Sequence, residues 1–198
     1  MQPSPPLTRD TIHSTLASTW LGRRIELFDC LPSTNREAVQ LAQAEVEHGT
    51  VVVADSQTAG RGRLSRTWFS PPGANLYCSI ILRMMRPPER LTEWLSWLPL
   101  ISALAAAEAI EQVSSIHVSV KWPNDLLISE RKVGGILCES GTGTRSGPFQ
   151  IIGIGINVNV DHEDWPADLR DSATSIWQER KIVVDRNRLL AQLLLELE

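Results

Sequence analysis

The chain has 198 residues, of which 42% are hydrophobic and 21% are charged, which is typical of one folded globular domain and excludes a disordered chain. Its 19 Lys and Arg and 23 Asp and Glu give a formal net charge of −4, which argues against a general nucleic-acid binder. No apolar run approaches the about 20 residues that a membrane-spanning helix needs, and residues 1–10 lack the pattern of a secretory signal. We therefore expect a cytoplasmic protein that binds neither DNA nor a membrane.

The cysteines and histidines argue against a metal centre. Cys30, Cys78 and Cys138 are odd in number and far apart, so they predict neither a disulfide framework nor a Cys-x-x-Cys site. The four histidines show no zinc-like spacing to one another or to a cysteine. We therefore expect no metal site built from soft ligands.

The first elements are two helices that flank a strand. Apolar side chains at a spacing of four predict a short amphipathic helix within residues 8–20, and residues 24–28 predict a strand. After Pro32, apolar residues at helical spacing predict a second helix that is ended by Gly49. This places residues 33–35 at a helix N-terminus.

The middle of the chain predicts two strands around a long loop, and then a helix. Residues 50–54 and 75–82 have the composition of buried strands, while the polar, Gly- and Arg-rich residues 57–73 between them predict a loop. A loop longer than about 12 residues inside a compact domain is usually functional or disordered, and we favour a functional loop. The small and apolar residues 90–113 predict the main buried helix.

Four further strands and a final helix complete the predicted domain. The strands are expected at residues 116–121, 125–129, 132–139 and 149–157, and their short connections predict antiparallel neighbours. Helical periodicity returns at residues 186–198. The pattern predicts an α+β fold in which helices flank a mixed, largely antiparallel sheet.

The most informative segment is the run Gly-Arg-Gly-Arg-Leu-Ser-Arg-Thr-Trp at residues 60–68. Its glycines allow main-chain amides to approach a ligand, and its arginines offer planar donor pairs to carboxylate or phosphate oxygens. Trp68 adds an aromatic face for stacking. The segment therefore predicts an anionic ligand, most plausibly a nucleotide. The alternative is a solvated basic loop without a ligand.

Two other segments carry polar groups at strand ends. Lys121, Asn124 and Asp125 lie within five residues around Pro123, a pattern that fits a ligand site and an ordinary β-turn about equally well. Lys132 precedes a pair of glycines that indicate a bulge or a close ligand approach. The Gly-x-G motif at residues 153–155 lacks the third glycine of a Rossmann fingerprint, and no P-loop motif is present.

Taken in order, residues 33–35, Gln57, residues 60–68, 121–125, 132–137 and 153–157 resemble the biotin protein ligases. The resemblance covers about residues 27–197. It implies one catalytic domain at residues 1–198, related to class II aminoacyl-tRNA synthetases, without the N-terminal helix-turn-helix domain or the small C-terminal β-domain of some relatives. Ser65 departs from the family pattern because a glycine is common at this position.

The resemblance also implies a reaction and its partners. Biotin and ATP, with Mg²⁺, would form biotinyl-5′-AMP, and the biotinyl group would pass to a lysine of the biotin carboxyl carrier protein of acetyl-CoA carboxylase or a related carboxylase. The enzyme would act as a monomer or a homodimer. Two alternatives stay open: a lipoate or octanoate transferase of the same fold, and a non-catalytic biotin-binding module.

The resemblance assigns roles to individual residues. Lys132, Arg63 and Asp125 would be catalytic, and Asp125 is also the candidate magnesium ligand. The biotin site would comprise Ser33, Thr34, Asn35, Gln57, Arg61, Gly62, Arg63, Lys132, Gly153 and Gly155. The nucleotide site would comprise Arg63, Arg66, Trp68, Lys121, Asn124 and Asn157.

Overall fold

A computed structural model describes residues 4–83, 91–145 and 147–198, with the side chains of residues 91–94 left out. In this part of the chain, seven strands form one sheet in the order β1-β2-β3-β7-β6-β5-β4. β1 and β2 are parallel, and the other five neighbouring pairs are antiparallel, which confirms the predicted mixed, largely antiparallel sheet. The strands are β1 Ile25–Leu31, β2 Val51–Gln57, β3 Leu76–Arg83, β4 Ser119–Lys121, β5 Asp125–Ile128, β6 Arg131–Gly143 and β7 Gly147–Ile156.

Within the described residues, five α-helices accompany the sheet: α1 Arg9–Thr15, α2 Thr34–Gln43, α3 Leu91–Ser114, α4 Ile176–Arg180 and α5 Arg186–Leu197. Two predicted helices are shorter in the structure than in the sequence pattern. α1 ends at Thr15, and α2 ends before Glu45, which adopts a left-handed φ of 65° and cannot continue a right-handed helix. The short α4 was not predicted, because five residues carry too little periodicity.

The helices cover both faces of the sheet. On one face, α3 and α5 pack against strands through a large core that includes Ala106 and Ile110. On the other face, α2 crosses β2, β3, β7 and β6, and packs Ala38 and Ala42 on the sheet. The N-terminus of α2 therefore lies over the middle of the sheet.

The long helix α3 is buried on one face only. Trp97, Ile101 and Leu104 are exposed at helical spacing, so the predicted main buried helix also has an exposed apolar face. Its predicted first residue, Arg90, lies outside the described residues. Among the described residues, no helix combines the length and apolar character that a membrane span requires.

Candidate functional site

The first side of the site, here called the sheet wall, consists of Thr34, Asn35, Gln57, Ser79 and Gly153. The backbone N–H of Thr34, at the start of α2, donates to Gln57 Oε1 at the end of β2 over 2.9 Å. Ser79 Oγ on β3 lies 2.8 Å from Thr34 Oγ1 and 2.6 Å from Asn35 Oδ1. Thr34, Asn35 and Ser79 are buried. The sheet wall is therefore a neutral hydrogen-bonded network at a helix N-terminus.

Asn35 holds this wall together because its amide bonds to two strands, β3 and β6. Its Nδ2 donates to Leu137 O on β6 over 3.1 Å and to Glu139 Oε2 over 2.8 Å. Gly153 on β7 leaves the space for the side chain, since a Cβ atom there would lie 2.0 Å from Asn35 Oδ1. A side chain at position 153 would therefore displace Asn35.

The second side, here called the loop wall, is the segment at residues 60–68. Arg61 and Thr67 form an isolated antiparallel bridge, and Gly62 N donates to Arg66 O over 2.7 Å. The tip turns through Leu64 and Ser65, which have left-handed φ values of 55° and 59°. The segment is thus a small hairpin that presents its three arginines on an exposed surface.

Two arginines join the loop wall to the sheet. Arg61 Nη2 lies 2.9 and 3.0 Å from the two carboxylate oxygens of Glu139 on β6. Arg63 Nη1 donates to Asn124 Oδ1 over 2.8 Å, and Asn124 Nδ2 donates to Ile136 O over 3.0 Å. The loop wall is therefore held over β6 by charge and by amide hydrogen bonds.

Lys132 lies where the two walls meet. The β5–β6 hairpin, which turns through Ser129 and Glu130 with positive φ, returns Lys132 beside Asp125, and the Nζ atom donates to Asp125 Oδ1 over 2.6 Å. The same Nζ lies 5.3 Å from the ring centroid of Trp68, within cation–π range. Lys132 is thus a cation oriented by a carboxylate and by an aromatic ring.

Trp68 covers the place where the two walls meet, here called the junction, from the side of the loop wall. A Cβ atom at Gly155 would lie 2.7 Å from its ring, so the ring packs directly on the backbone of β7. Its Nε1 atom is buried and has no hydrogen-bond partner among the described residues. An unsatisfied buried donor is costly, and a ligand acceptor at this position would satisfy it.

The two walls enclose two adjoining cavities. The first is lined by the ten residues predicted for biotin: Ser33, Thr34, Asn35, Gln57, Arg61, Gly62, Arg63, Lys132, Gly153 and Gly155. The second, which is larger, is lined by Asp125 and by five residues predicted for the nucleotide: Arg63, Arg66, Trp68, Asn124 and Asn157. Gly62, Arg63, Trp68, Asn124 and Lys132 line both cavities. The junction is therefore cationic.

One predicted residue lies apart, and several lining residues were missed. The side chain of Lys121 is exposed and does not belong to the residues that line these two cavities. Tyr77 in the first cavity, and Phe69 and Trp165 in the second, have no motif around them. Glu139 was also missed, although strand alternation could have placed it on the same face of β6 as Leu137.

The structure offers one acidic side chain for a metal at the junction. Among the residues that the structure describes, no group of three or more His, Cys, Asp and Glu could hold a metal ion. Mg²⁺ usually binds through one or two carboxylates together with substrate phosphates and water. Asp125 therefore fits a metal that arrives with a phosphate ligand, and it does not fit a permanently bound ion.

Comparisons with known proteins identify a family and several relatives. Residues 27–159 match the family described as Biotin/lipoate A/B protein ligase family. The bifunctional ligase/repressor BirA of Bacillus subtilis is 39% identical over 189 residues, which are 96% of this chain and 57% of that protein. The biotin–[acetyl-CoA-carboxylase] ligase of Mycobacterium tuberculosis is 32% identical over 98% of this chain and 70% of that protein.

A solved structure shows the same fold. The biotin protein ligase from Aquifex aeolicus, in complex with biotin and ATP, superposes with a TM-score of 0.74 and 35% identity, over 88% of this chain and 68% of that chain. This similarity confirms the predicted synthetase-like architecture. The chain spans little more than half the length of the Bacillus relative.

Proposed function

We propose, from the premise that the chain belongs to the biotin/lipoate A/B protein ligase family, that it activates biotin with ATP and transfers it to a lysine of a biotin carboxyl carrier protein. The observation that carries this proposal is the cationic junction, where Arg63 and Lys132 line both cavities. An acid in one cavity and a nucleotide in the other would meet there. Adenylation needs this arrangement, because both reacting groups are anionic.

The first cavity suits biotin. The ureido head and ring are neutral and need hydrogen bonds from a fixed surface. Thr34 and Gln57 of the sheet wall and the adjacent Ser33 supply such groups in the first cavity. Both N–H groups of the Asn35 amide already donate to Leu137 and Glu139, so Asn35 shapes the cavity from below. The glycines of β7 make room for Asn35 and for the Trp68 ring, and both side chains line this cavity.

The second cavity suits the nucleotide. Arg66 supplies charge for phosphates, and the Trp68 ring supplies a surface for stacking. Asn157 is buried, and its Nδ2 donates to Lys132 O over 3.2 Å and to Thr174 O over 3.0 Å. It therefore fixes the backbone from which Lys132 extends.

The proposed first step occurs at the junction. A carboxylate oxygen of biotin attacks the α-phosphorus of ATP, the bond to the bridging oxygen breaks, and pyrophosphate leaves with the electron pair. Lys132 and Arg63 stabilise the negative charge that gathers on the α-phosphate and the carboxylate. Asp125 would hold Mg²⁺ that arrives with ATP, and the ion would then neutralise part of the phosphate charge.

In the second step, the lysine amine of the carrier attacks the acyl carbon of biotinyl-5′-AMP. An amide bond forms, the acyl–phosphate bond breaks, and AMP leaves. The amine must lose a proton, and the Asp125 carboxylate beside Lys132 is the proposed acceptor. The name of the Mycobacterium relative supports a carrier that belongs to acetyl-CoA carboxylase or a related carboxylase.

Mass spectrometry of a carrier domain incubated with the protein, biotin and MgATP tests this proposal. We expect one biotinyl adduct on the carrier, together with release of pyrophosphate, and neither product when ATP is omitted. Competition by octanoate, with no adduct from biotin, would instead support a lipoate or octanoate transferase. Biotin binding without pyrophosphate release would support a non-catalytic binding module.

A further inference from the structure

Glu139 connects the two walls of the site through one carboxylate. Its Oε2 atom accepts from Asn35 Nδ2 over 2.8 Å and lies 2.9 Å from Arg61 Nη2, while Oε1 lies 3.0 Å from the same Nη2. The partners lie 104 and 78 residues away in the sequence. The exposed loop is thus tied to the buried network at one point.

The position of Glu139 follows from the register of the sheet. Leu137 faces Gly153 across the β6–β7 pair, and Glu139 faces Ile151 two residues further along. Side chains alternate along a strand, so Glu139 lies on the same face as Leu137, under the N-terminus of α2. The neighbouring Cys138 packs on the core of the opposite face. A carboxylate at position 139 therefore points toward Asn35 and the loop wall.

The contact leaves part of the Arg61 guanidinium available. A guanidinium carries five N–H donors, and the described bonds to Glu139 use Nη2. The same side chain lines the first cavity. Held in this way, Arg61 can offer its remaining donors to a second anion without losing its anchor.

We propose that Glu139 is a positioning residue, which orients Arg61 for the carboxylate of biotin and aligns Asn35 beneath the ring. This inference rests on the proposed function, because it takes biotin as the occupant of the first cavity. Glu139 acts through its two partners and does not itself touch the reacting atoms.

Two substitutions separate the two contacts of Glu139. Glu139→Gln keeps an oxygen that can accept from Asn35 Nδ2, but it removes the charge that holds Arg61. Glu139→Ala removes both contacts. The matched control is Glu26→Gln on β1, because Glu26 pairs with Arg24 over 2.8 Å and with Arg9 over 3.4 Å, and it lines neither cavity.

Steady-state pyrophosphate release tests the orientation of Arg61. For Glu139→Gln we expect the KM for biotin to rise about fivefold, as for the loss of a partly exposed ion pair. The KM for ATP should stay within about twofold, since the second cavity is not changed. Glu139→Ala should raise the KM for biotin further, and Glu26→Gln should change neither constant. An equal rise in both KM values, or no change in either, would overturn the proposal.

Limited trypsin digestion tests whether Glu139 holds Arg61, and it does not require any catalytic activity. Cleavage after Arg61, Arg63 or Arg66 requires the loop to leave the sheet, so the rate reports on this opening. Glu139→Gln should speed this cleavage about fivefold, with an unchanged melting temperature, and Glu26→Gln should not. Equal cleavage rates for Glu139→Gln and the unmodified protein would show that Glu139 does not hold Arg61. If the unmodified protein released no pyrophosphate, the proposed function would fail, while the digestion would still decide whether Glu139 holds Arg61.

Discussion

The two walls of the site differ in almost every physical respect. The sheet wall is buried and neutral, is hydrogen-bonded to β2, β3 and β6, and packs closely on β7 at Gly153. The loop wall is exposed and cationic, and it joins the sheet through the bonds of Arg61 and Arg63 and through the packing of Trp68. One wall is part of the core of the fold, whereas the other is attached to it.

This difference matches the two tasks of an adenylating enzyme. Recognition of a neutral ring needs donors and acceptors in fixed positions, and a buried network provides them at no cost on binding. The reacting groups need positive charge that can close over them, exclude water from the adenylate and later admit the carrier. The predictions below test whether the two walls differ in stability and accessibility as their structures indicate.

The largest difference is expected in thiol chemistry on the strands that carry the sheet wall. Cys78 neighbours Ser79, Cys138 neighbours Glu139, and burial raises the pKa of both thiols to about 12. At pH 8 this leaves about a thousandfold less thiolate than an ordinary cysteine has. Iodoacetamide followed by mass spectrometry should therefore label the exposed Cys30 and spare the other two.

The sign of the pH dependence follows from the raised pKa values. Labelling of Cys78 and Cys138 should increase about tenfold per pH unit between pH 8 and pH 10, because the thiolate fraction grows in this range. Labelling of Cys78 at pH 8 at the rate of Cys30 would show that β3 opens readily. The contrast between a fixed sheet wall and an attached loop wall would then be wrong.

The second prediction concerns the cation where the walls meet. Lys132→Met should lower the rate of pyrophosphate release by about a hundredfold to a thousandfold, as expected for the loss of one donor that stabilises a developing charge. The side chain is half-buried, so the melting temperature should change little. A single-turnover assay with saturating biotin and ATP measures the chemical step.

Lys181→Met is the matched control. Lys181 Nζ lies 5.8 Å from the ring centroid of Trp177. The substitution therefore removes a similar lysine–tryptophan contact, at a position that lines neither cavity. This variant should retain full activity. A Lys132→Met protein with more than about a tenth of the normal rate would contradict the role of the junction.

The sequence predicted the residues of each wall better than their arrangement. Local composition singled out Arg61 and Arg63, because glycines and charges in a loop are visible without neighbours, whereas the role of Lys132 was implied by the family resemblance. The position of β7 between β3 and β6 depends on pairing over long separations, which local patterns do not contain. Glu139 was missed for the same reason, since both its partners are distant in sequence.

The third prediction compares one substitution on both walls. Gly153→Ala places a Cβ atom 2.0 Å from Asn35 Oδ1, so it should reduce the free energy of unfolding by about 1–3 kcal/mol. Gly62→Ala places the nearest atom at 3.6 Å, an ordinary contact, and should change stability by less than about 0.5 kcal/mol. Urea unfolding of both variants measures these effects. Equal losses would remove the distinction between a packed wall and an attached one.

The smallest effect is expected at two serines with left-handed backbones. Ser65 at the tip of the loop wall has a φ of 59°, and Ser129 in the β5–β6 turn has a φ of 48°. Glycine adopts this conformation without the steric cost of about 1 kcal/mol that other residues carry. Ser129→Gly should therefore raise the free energy of global unfolding by about 0.5–1 kcal/mol, because this turn joins two strands of the sheet.

Ser65→Gly should behave differently, although it removes the same steric cost of a left-handed backbone conformation. The loop wall opens separately from the sheet, so the gain should appear as tryptic cleavage of the loop that is about threefold slower, with unchanged urea unfolding. Ser129→Gly should leave the cleavage rate unchanged. If Ser65→Gly instead stabilised the protein globally, the loop wall would unfold together with the sheet. Glu139 would then support the fold as a whole, beyond its proposed role of holding Arg61 over the cavity.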